Sequence, residues 1–242
     1  MNDIVIPETL PDGFRRLEWA YRRPRWRRMV QIVLLMAQTG VSTAPELVRL
    51  TRIDSKSIHV VFDSMLDLLD PLIESRVLFA GGKGRLRVIN LTDYGKALSR
   101  ALGVEPVESD WEKIVRLHKG EVQAFHAALV LKAAYQARLR GWKAEVMPFN
   151  PQETPWFQPD LKLTDPEGWF YYCEVETRSR VKPAKWARMR QVNLIVSTPI
   201  TRYWMVERLK AMGIPGRATD LRTLAQQAKA GDLSHFWLEK WG

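Results

Sequence analysis

The sequence predicts two domains, an α+β module followed by an α/β sandwich with a mixed central sheet. Three observations predict this. Three helix-spaced apolar stripes are followed by two β-prone runs; a segment with one proline, three acids and little periodicity, Val104–Trp111, interrupts the pattern; beyond it helices and strands alternate. The expected organisation is a basic arm over residues 1–23, a first domain over 24–104 and a second over 105–242.

In the first domain Trp26, Met29, Val30, Val33, Leu34 and Ala37 recur at helical spacing. Pro24 suits the first turn of that helix and Gly40 its end. Thr43 with Pro45 and Glu46 reads as a capping box opening a second helix. After a turn at Arg52, Ile53 and Asp54, a third helix buries Ile58, Val61, Phe62, Met65, Leu66 and Leu69. Its Lys56, Ser57, His59 and Val60 lie outside that stripe, near the helix start. Ser75–Ala80 and Arg85–Thr92, joined by Gly81–Gly84, read as a hairpin with a basic, glycine-rich tip. A last helix, Asp93–Leu102, is capped by Thr92 and stopped by Gly103.

This order resembles a winged helix-turn-helix domain, and NLTDYGKALSRALG resembles the segment that often closes one. The resemblance implies that the third helix enters the major groove of DNA while the hairpin touches the flanking backbone. The DNA-binding residues expected are then Lys56, Ser57, His59, Lys83 and Arg85. To these the arm and first helix add Arg22, Arg23, Arg25, Arg27 and Arg28. From Arg15 to Arg28 the only acid is Glu18, whereas a solvated helix face normally mixes signs. Guanidinium groups in such a row hold phosphates and release counterions. Binding to the second domain or to an acidic partner stays open for them.

The composition agrees with a nucleic-acid partner. The 242 residues carry 37 basic against 27 acidic side chains, a net charge of +10, and 46% are hydrophobic, enough for a real core. A single cysteine, Cys173, excludes an internal disulfide framework and a cysteine zinc ribbon. Val30–Ala37 is too short to span a bilayer, and the first residues lack the basic start and apolar run of a signal peptide. The expectation is a cytoplasmic protein without membrane contact. A homodimer or a larger nucleoprotein complex is compatible with it.

The second half begins with a helix at Trp111–His118 and continues with a strong one at Glu121–Arg140, stopped by Gly141. Strands are expected at Trp142–Phe149, after Pro159–Asp160 at Leu161–Leu163, at Trp169–Thr177 and at Leu194–Ser197. A turn spans Asp165–Gly168. A basic helix carries Lys182, Lys185, Arg188 and Arg190, and further helices cover Thr198–Ala211 and Leu221–Ala230. Alternation on the third strand puts Glu174 and Glu176 on one face and Cys173 and Val175 on the other.

Pro159–Asp160, a hairpin, and then Glu174-Val175-Glu176 resemble the PD-(D/E)XK nuclease signature. The resemblance implies a restriction-endonuclease-like fold and Mg2+ held by Asp160, Glu174 and Glu176. The catalytic set it implies is Glu121, Asp160, Glu174, Glu176, Lys182 and Lys185. Clustered carboxylates raise one another's pKa, and a hard divalent ion relieves that cost. Glu176 stands where the family's lysine is usual; some members carry glutamate there and still cleave, and Lys182 or Lys185 could take the lysine's role. A winged helix followed by H…PD…EVE…K also resembles the replication-relaxation family of plasmid and mobile-element proteins.

The functional expectation is a DNA-binding protein of a mobile element or plasmid, acting as a metal-dependent endonuclease. The alternative is a non-catalytic replication or transcription factor, or a subunit of a nucleoprotein complex, with a degenerate nuclease fold. Other residues read as structural. His126 is expected to pack, Cys173 to lie in the core, and Trp186, Tyr203, Trp204, Phe236, Trp237 and Trp241 to be mostly core or docking residues. The GGKG run lacks the spacing of a phosphate loop.

Overall fold

A computed structural model describes residues 4–79, 84–118, 120, 122–148, 158–177, 186 and 190–242. The chain divides into two compact units, residues 1–78 with 86–113, and residues 79–85 with 114–242.

The first unit opens with a 3-10 turn, Asp12–Phe14, and helix α1, Arg16–Ala20. Leu10, Phe14 and Leu17 are buried in the same core as Trp26, Met29, Val33 and Phe62. Residues 10–20 are therefore docked and do not form a free arm. The physical reason is their own apolar spacing, since burying each such side chain stabilises by about 1.5–3 kcal/mol. Helix α2, Arg23–Thr39, ends at Gly40 with φ 67°, and a Cβ there would meet the Glu108 carbonyl oxygen at 2.8 Å. Helix α3, Ala44–Thr51, and helix α4, Ser55–Leu66, follow. Thr43 is the N-cap of α3, but its hydroxyl donates to the buried Glu46 carboxylate at 3.3 Å and caps no backbone amide, so the two side chains of the expected capping box bond to each other instead. Arg52, in the turn between α3 and α4, has φ 57°.

Strands β1, Ile73–Phe79, and β2, Arg85–Leu91, form the two-stranded sheet, and Thr43 bridges to Val88. Helix α5, Asp93–Ala101, is capped by the Thr92 hydroxyl, which accepts the Gly95 amide at 3.1 Å. The segment read as a boundary packs onto this unit: the Val107 and Asp110 amides donate to the carbonyls of Ala37 and Gly40. Its residues thus continue into helix α6, Asp110–Leu117.

The second unit is a six-stranded mixed sheet with helices. After α7, Ala124–Leu139, come β3, Lys143–Val146, β4, Leu161–Thr164, and β5, Phe170–Glu176. Then follow β6, Val192–Val196, α8, Pro199–Ala211, β7, Gly216–Asp220, α9, Leu221–Lys229, and β8, Glu239–Trp241. The spatial order is β3-β4-β5-β6-β7-β8. The first three strands are antiparallel neighbours, β5, β6 and β7 run parallel, and β8 returns antiparallel.

The mixed sheet is as expected, but β7 and β8 are additions. GRATD and EKW are too short and too polar to announce strands, and pairing with β6 and β7 supplies what their composition lacks. Helix α8 packs Met205, Val206 and Leu209 with Val192, Leu194, Val196 and Trp186 in one core cluster. Helix α7 packs on β3, β4 and β5. Trp186 and Phe236 are buried and Trp241 is half-buried, whereas Tyr203 and Trp204 are exposed on α8. Among the described residues no helix is long and apolar enough to cross a membrane.

Candidate functional site

The second unit gathers its ionisable groups where β4 begins and β5 ends. Asp160 immediately precedes β4, and the register that pairs Leu161 with Cys173 sets Asp160 opposite Glu174. Both carboxylates are withdrawn from water, at 8% and 4% relative exposure. Asp160 is held at both oxygens. Its Oδ2 accepts the Val175 amide at 2.7 Å, and its Oδ1 lies 3.0 Å from Nε2 of His126 on α7. A carboxylate offers only acceptors, so His126 donates from Nε2. Hydrogen bonds to an ionised acceptor contribute about 1.5–3 kcal/mol, which fixes Asp160 in this orientation.

His126 was expected to be a packing residue, and it is instead the partner of the key aspartate. Burial pulls its pKa down, but the hydrogen bond to Asp160 and the charges of Asp160, Glu176 and Glu174 outweigh this, leaving it above the ordinary value. All three predicted carboxylates therefore act on one imidazole. The signal in the sequence was slight: a histidine two residues after the start of a mostly apolar, alanine-rich helix. Cys173 is fully buried, as expected, and burial followed by the charges of Glu174 and Asp160 raises its thiol pKa.

Among the described residues no group of three or more His, Cys, Asp or Glu side chains is arranged to hold a metal ion. Glu121, Lys182 and Lys185 lie outside the described residues, as does most of the expected basic helix.

A second feature lies in the first unit. A cleft of about 720 Å³ separates the start of α2 from the start of α4, lined by Tyr21, Arg22, Arg25, Arg28, Lys56, Ser57 and Val60. Five of the ten residues expected to bind DNA thus meet at one hollow. Arg23 and Arg27 turn elsewhere: Arg23 faces Glu8 at 3.9 Å, and Arg27 donates to the Ile6 carbonyl at 3.4 Å. Ser57 spends its amide on the Asp54 cap at 2.9 Å.

His59 is engaged by a residue the sequence reading passed over. Arg87 on β2 donates to His59 Nδ1 at 3.0 Å, to Asp63 at 3.0 Å and to Ser75 at 2.9 Å. Because guanidinium only donates, Nδ1 accepts and the ring proton sits on Nε2. Arg85 is exposed on β2 with its guanidinium 5.9 Å from the centre of the Phe79 ring, and Lys83 lies outside the described residues.

Comparison with protein-family models, with curated proteins and with solved structures gives no match.

Proposed function

We propose that this chain is a DNA-binding protein whose second unit is a metal-dependent endonuclease. The observation that carries the reading is the pair of buried carboxylates, Asp160 and Glu174, facing one another at the junction of antiparallel and parallel strands. Two such groups side by side are costly to bury, and sites that tolerate the cost are enriched for catalysis. The element order supports the nuclease resemblance: helix, three antiparallel strands, then a parallel strand, with Asp160 just before the second of the antiparallel strands and the glutamates on the next.

On this reading Asp160, Glu174 and Glu176 are the residues that would hold the ion, and they would have to draw closer to do so, since they are not gathered as a three-ligand set in this structure. Their oxygen donors suit a hard divalent cation such as Mg2+, and the negative charge they gather around His126 is what such a cation offsets. Bound there, it would supply an activated water and stabilise charge on the leaving phosphate oxygen. The chain's own contribution is orientation: His126 and the Val175 amide hold Asp160, and burial keeps Glu174 from competing water.

Targeting falls to the first unit, a winged helix on this reading. The order α2, α3, α4, β1, β2, α5, with the Thr43–Val88 bridge, supports it, and so does the basic cleft at the start of α4. The test is conversion of supercoiled plasmid to nicked circles in Mg2+ or Mn2+, which Asp160→Asn and Glu174→Gln abolish.

A second reading is favoured by Glu176 in the position of the family's lysine and by the engagement of both Asp160 oxygens. On it, the chain is a non-catalytic DNA-binding factor of a mobile element. Metal-dependent nicking that the carboxylate variants abolish excludes it.

A further inference from the structure

We infer that the second unit takes single-stranded DNA, stacking its unpaired bases on the aromatic residues that lead along β5 to Glu174. The inference rests on the nuclease reading and gives it a substrate form. Strand β5 carries Phe170, Tyr172 and Glu174 at alternate positions, so two aromatic rings and the buried acid share one side of the strand. Phe170 is 55% exposed, and Trp169, which precedes it, is 69% exposed. Aromatic rings left this exposed gain only part of their possible burial within the chain itself.

The aromatic track is rigidly presented. Asp165 accepts the amides of Glu167 at 3.1 Å and Trp169 at 2.8 Å, and also the Tyr171 hydroxyl at 3.0 Å, fixing the turn that leads into β5. The Phe170 and Tyr172 rings meet edge to face at 5.6 Å. Lys162, paired with Tyr172 across β4 and β5, holds its ammonium 4.7 Å from the centre of one ring and 5.3 Å from the other. A cation beside flat aromatic faces is the combination that binds unpaired strands: the rings take the bases and the cation takes the phosphate.

The surroundings fit the same occupant. Trp169, Phe170, Tyr172 and Glu174 line one cleft of about 1110 Å³, to which Arg190 and Lys240 add exposed positive charge. That volume exceeds the roughly 300–1,000 Å³ of a small-molecule pocket. Duplex DNA hides its base faces in the stack, so it cannot use the rings; an unpaired strand can. The cleft therefore delivers a single strand to the carboxylate that the nuclease reading makes catalytic.

The test uses the full chain with a labelled short oligothymidylate and a duplex of equal length, read by anisotropy and by quenching of tryptophan fluorescence. Phe170→Ala and Tyr172→Ala should each weaken strand binding about five- to a hundredfold, the loss expected for one stacked base. Duplex binding stays unchanged, and Phe170→Tyr restores the strand. Trp169→Leu should remove part of the quenching.

Strand binding that survives both alanine variants overturns the inference. So does a parallel loss of strand and duplex binding, and so does the absence of any quenching by the strand. The two proposals separate cleanly. If Glu174→Gln leaves cleavage intact while the ring variants lose the strand, the nuclease reading fails alone. If metal-dependent cleavage holds while the rings are dispensable, the stacking track fails alone.

Discussion

The imidazole of His126 donates to Oδ1 of Asp160 at 3.0 Å, while Oδ2 of the same carboxylate accepts the Val175 amide at 2.7 Å. One side chain thereby ties helix α7 to the start of β4 and to the end of β5. Glu174 and Glu176 lie near enough to act on the same imidazole. The sheet alone would leave the orientation of Asp160 open; the histidine fixes it.

A pH dependence follows with a definite sign. In the metal-free protein His126 titrates above the ordinary value of about 6.5, because Asp160, Glu176 and Glu174 outweigh its burial. A folded-state pKa above the unfolded one favours the protonated folded form. Its stabilisation is fully present below about pH 6.5 and is lost as pH rises through the folded value. Imidazole resonances followed by NMR should show the raised pKa, and urea melts should show stability from this group falling between slightly acidic and mildly alkaline pH. Asp160→Asn, which keeps an acceptor for the Val175 amide, should lower the His126 pKa. A midpoint below about 6.5 in the unaltered protein contradicts this account.

Duplex binding should depend on the cleft residues and not on total charge. Replacing Arg22, Arg25, Arg28 and Lys56 with alanine should reduce the slope of log affinity against log salt by about 0.9 for each phosphate contact removed. Arg23→Ala should change it little, since that guanidinium faces Glu8. Equal effects from both sets would mean that the cleft has no special part in binding.

Arg52 should respond to glycine. It holds φ 57° in the turn between α3 and α4, a conformation that costs a side-chain-bearing residue about 1 kcal/mol. Arg52 is exposed, so little packing is lost on removing its side chain. Arg52→Gly should raise the unfolding free energy by a few tenths to about 1 kcal/mol in denaturant melts, the glycine's larger unfolded-state entropy reducing the gain. A clear loss of stability would show that the turn is held by contacts of the arginine itself.

Much of this fold was legible because its helices are amphipathic and its turns are marked. Gly40, Thr92 and Asp54 lie where the sequence sets them, as helix end and caps, and the Asp165–Gly168 turn joins β4 to β5. In residues 10–20 the arginines dominate the composition, but Leu10, Phe14 and Leu17 decide the packing. Strands β7 and β8 carry no local signal; β7 forms because β6 offers it a parallel edge, and β8 in turn pairs with β7. At the site the acids were readable from alternation, since period two on a strand is a strong rule. His126 was not, because nothing near it in sequence says that a segment 34 residues later returns to meet it. Arg87 was missed for the same reason: its partners lie on α4 and β1.

The central claim is that buried carboxylates at the β4–β5 junction cleave DNA with a divalent cation. The most direct measurement is plasmid nicking by the full chain, unaltered and as Glu174→Gln, at concentrations where both bind duplex equally. Nicking should require Mg2+ or Mn2+, stop with a chelator, and fall about a hundredfold or more in the variant, as when several kcal/mol of transition-state stabilisation are withdrawn. Equal cleavage by both proteins, or none by the unaltered chain on either supercoiled plasmid or circular single-stranded DNA with either metal, would contradict it.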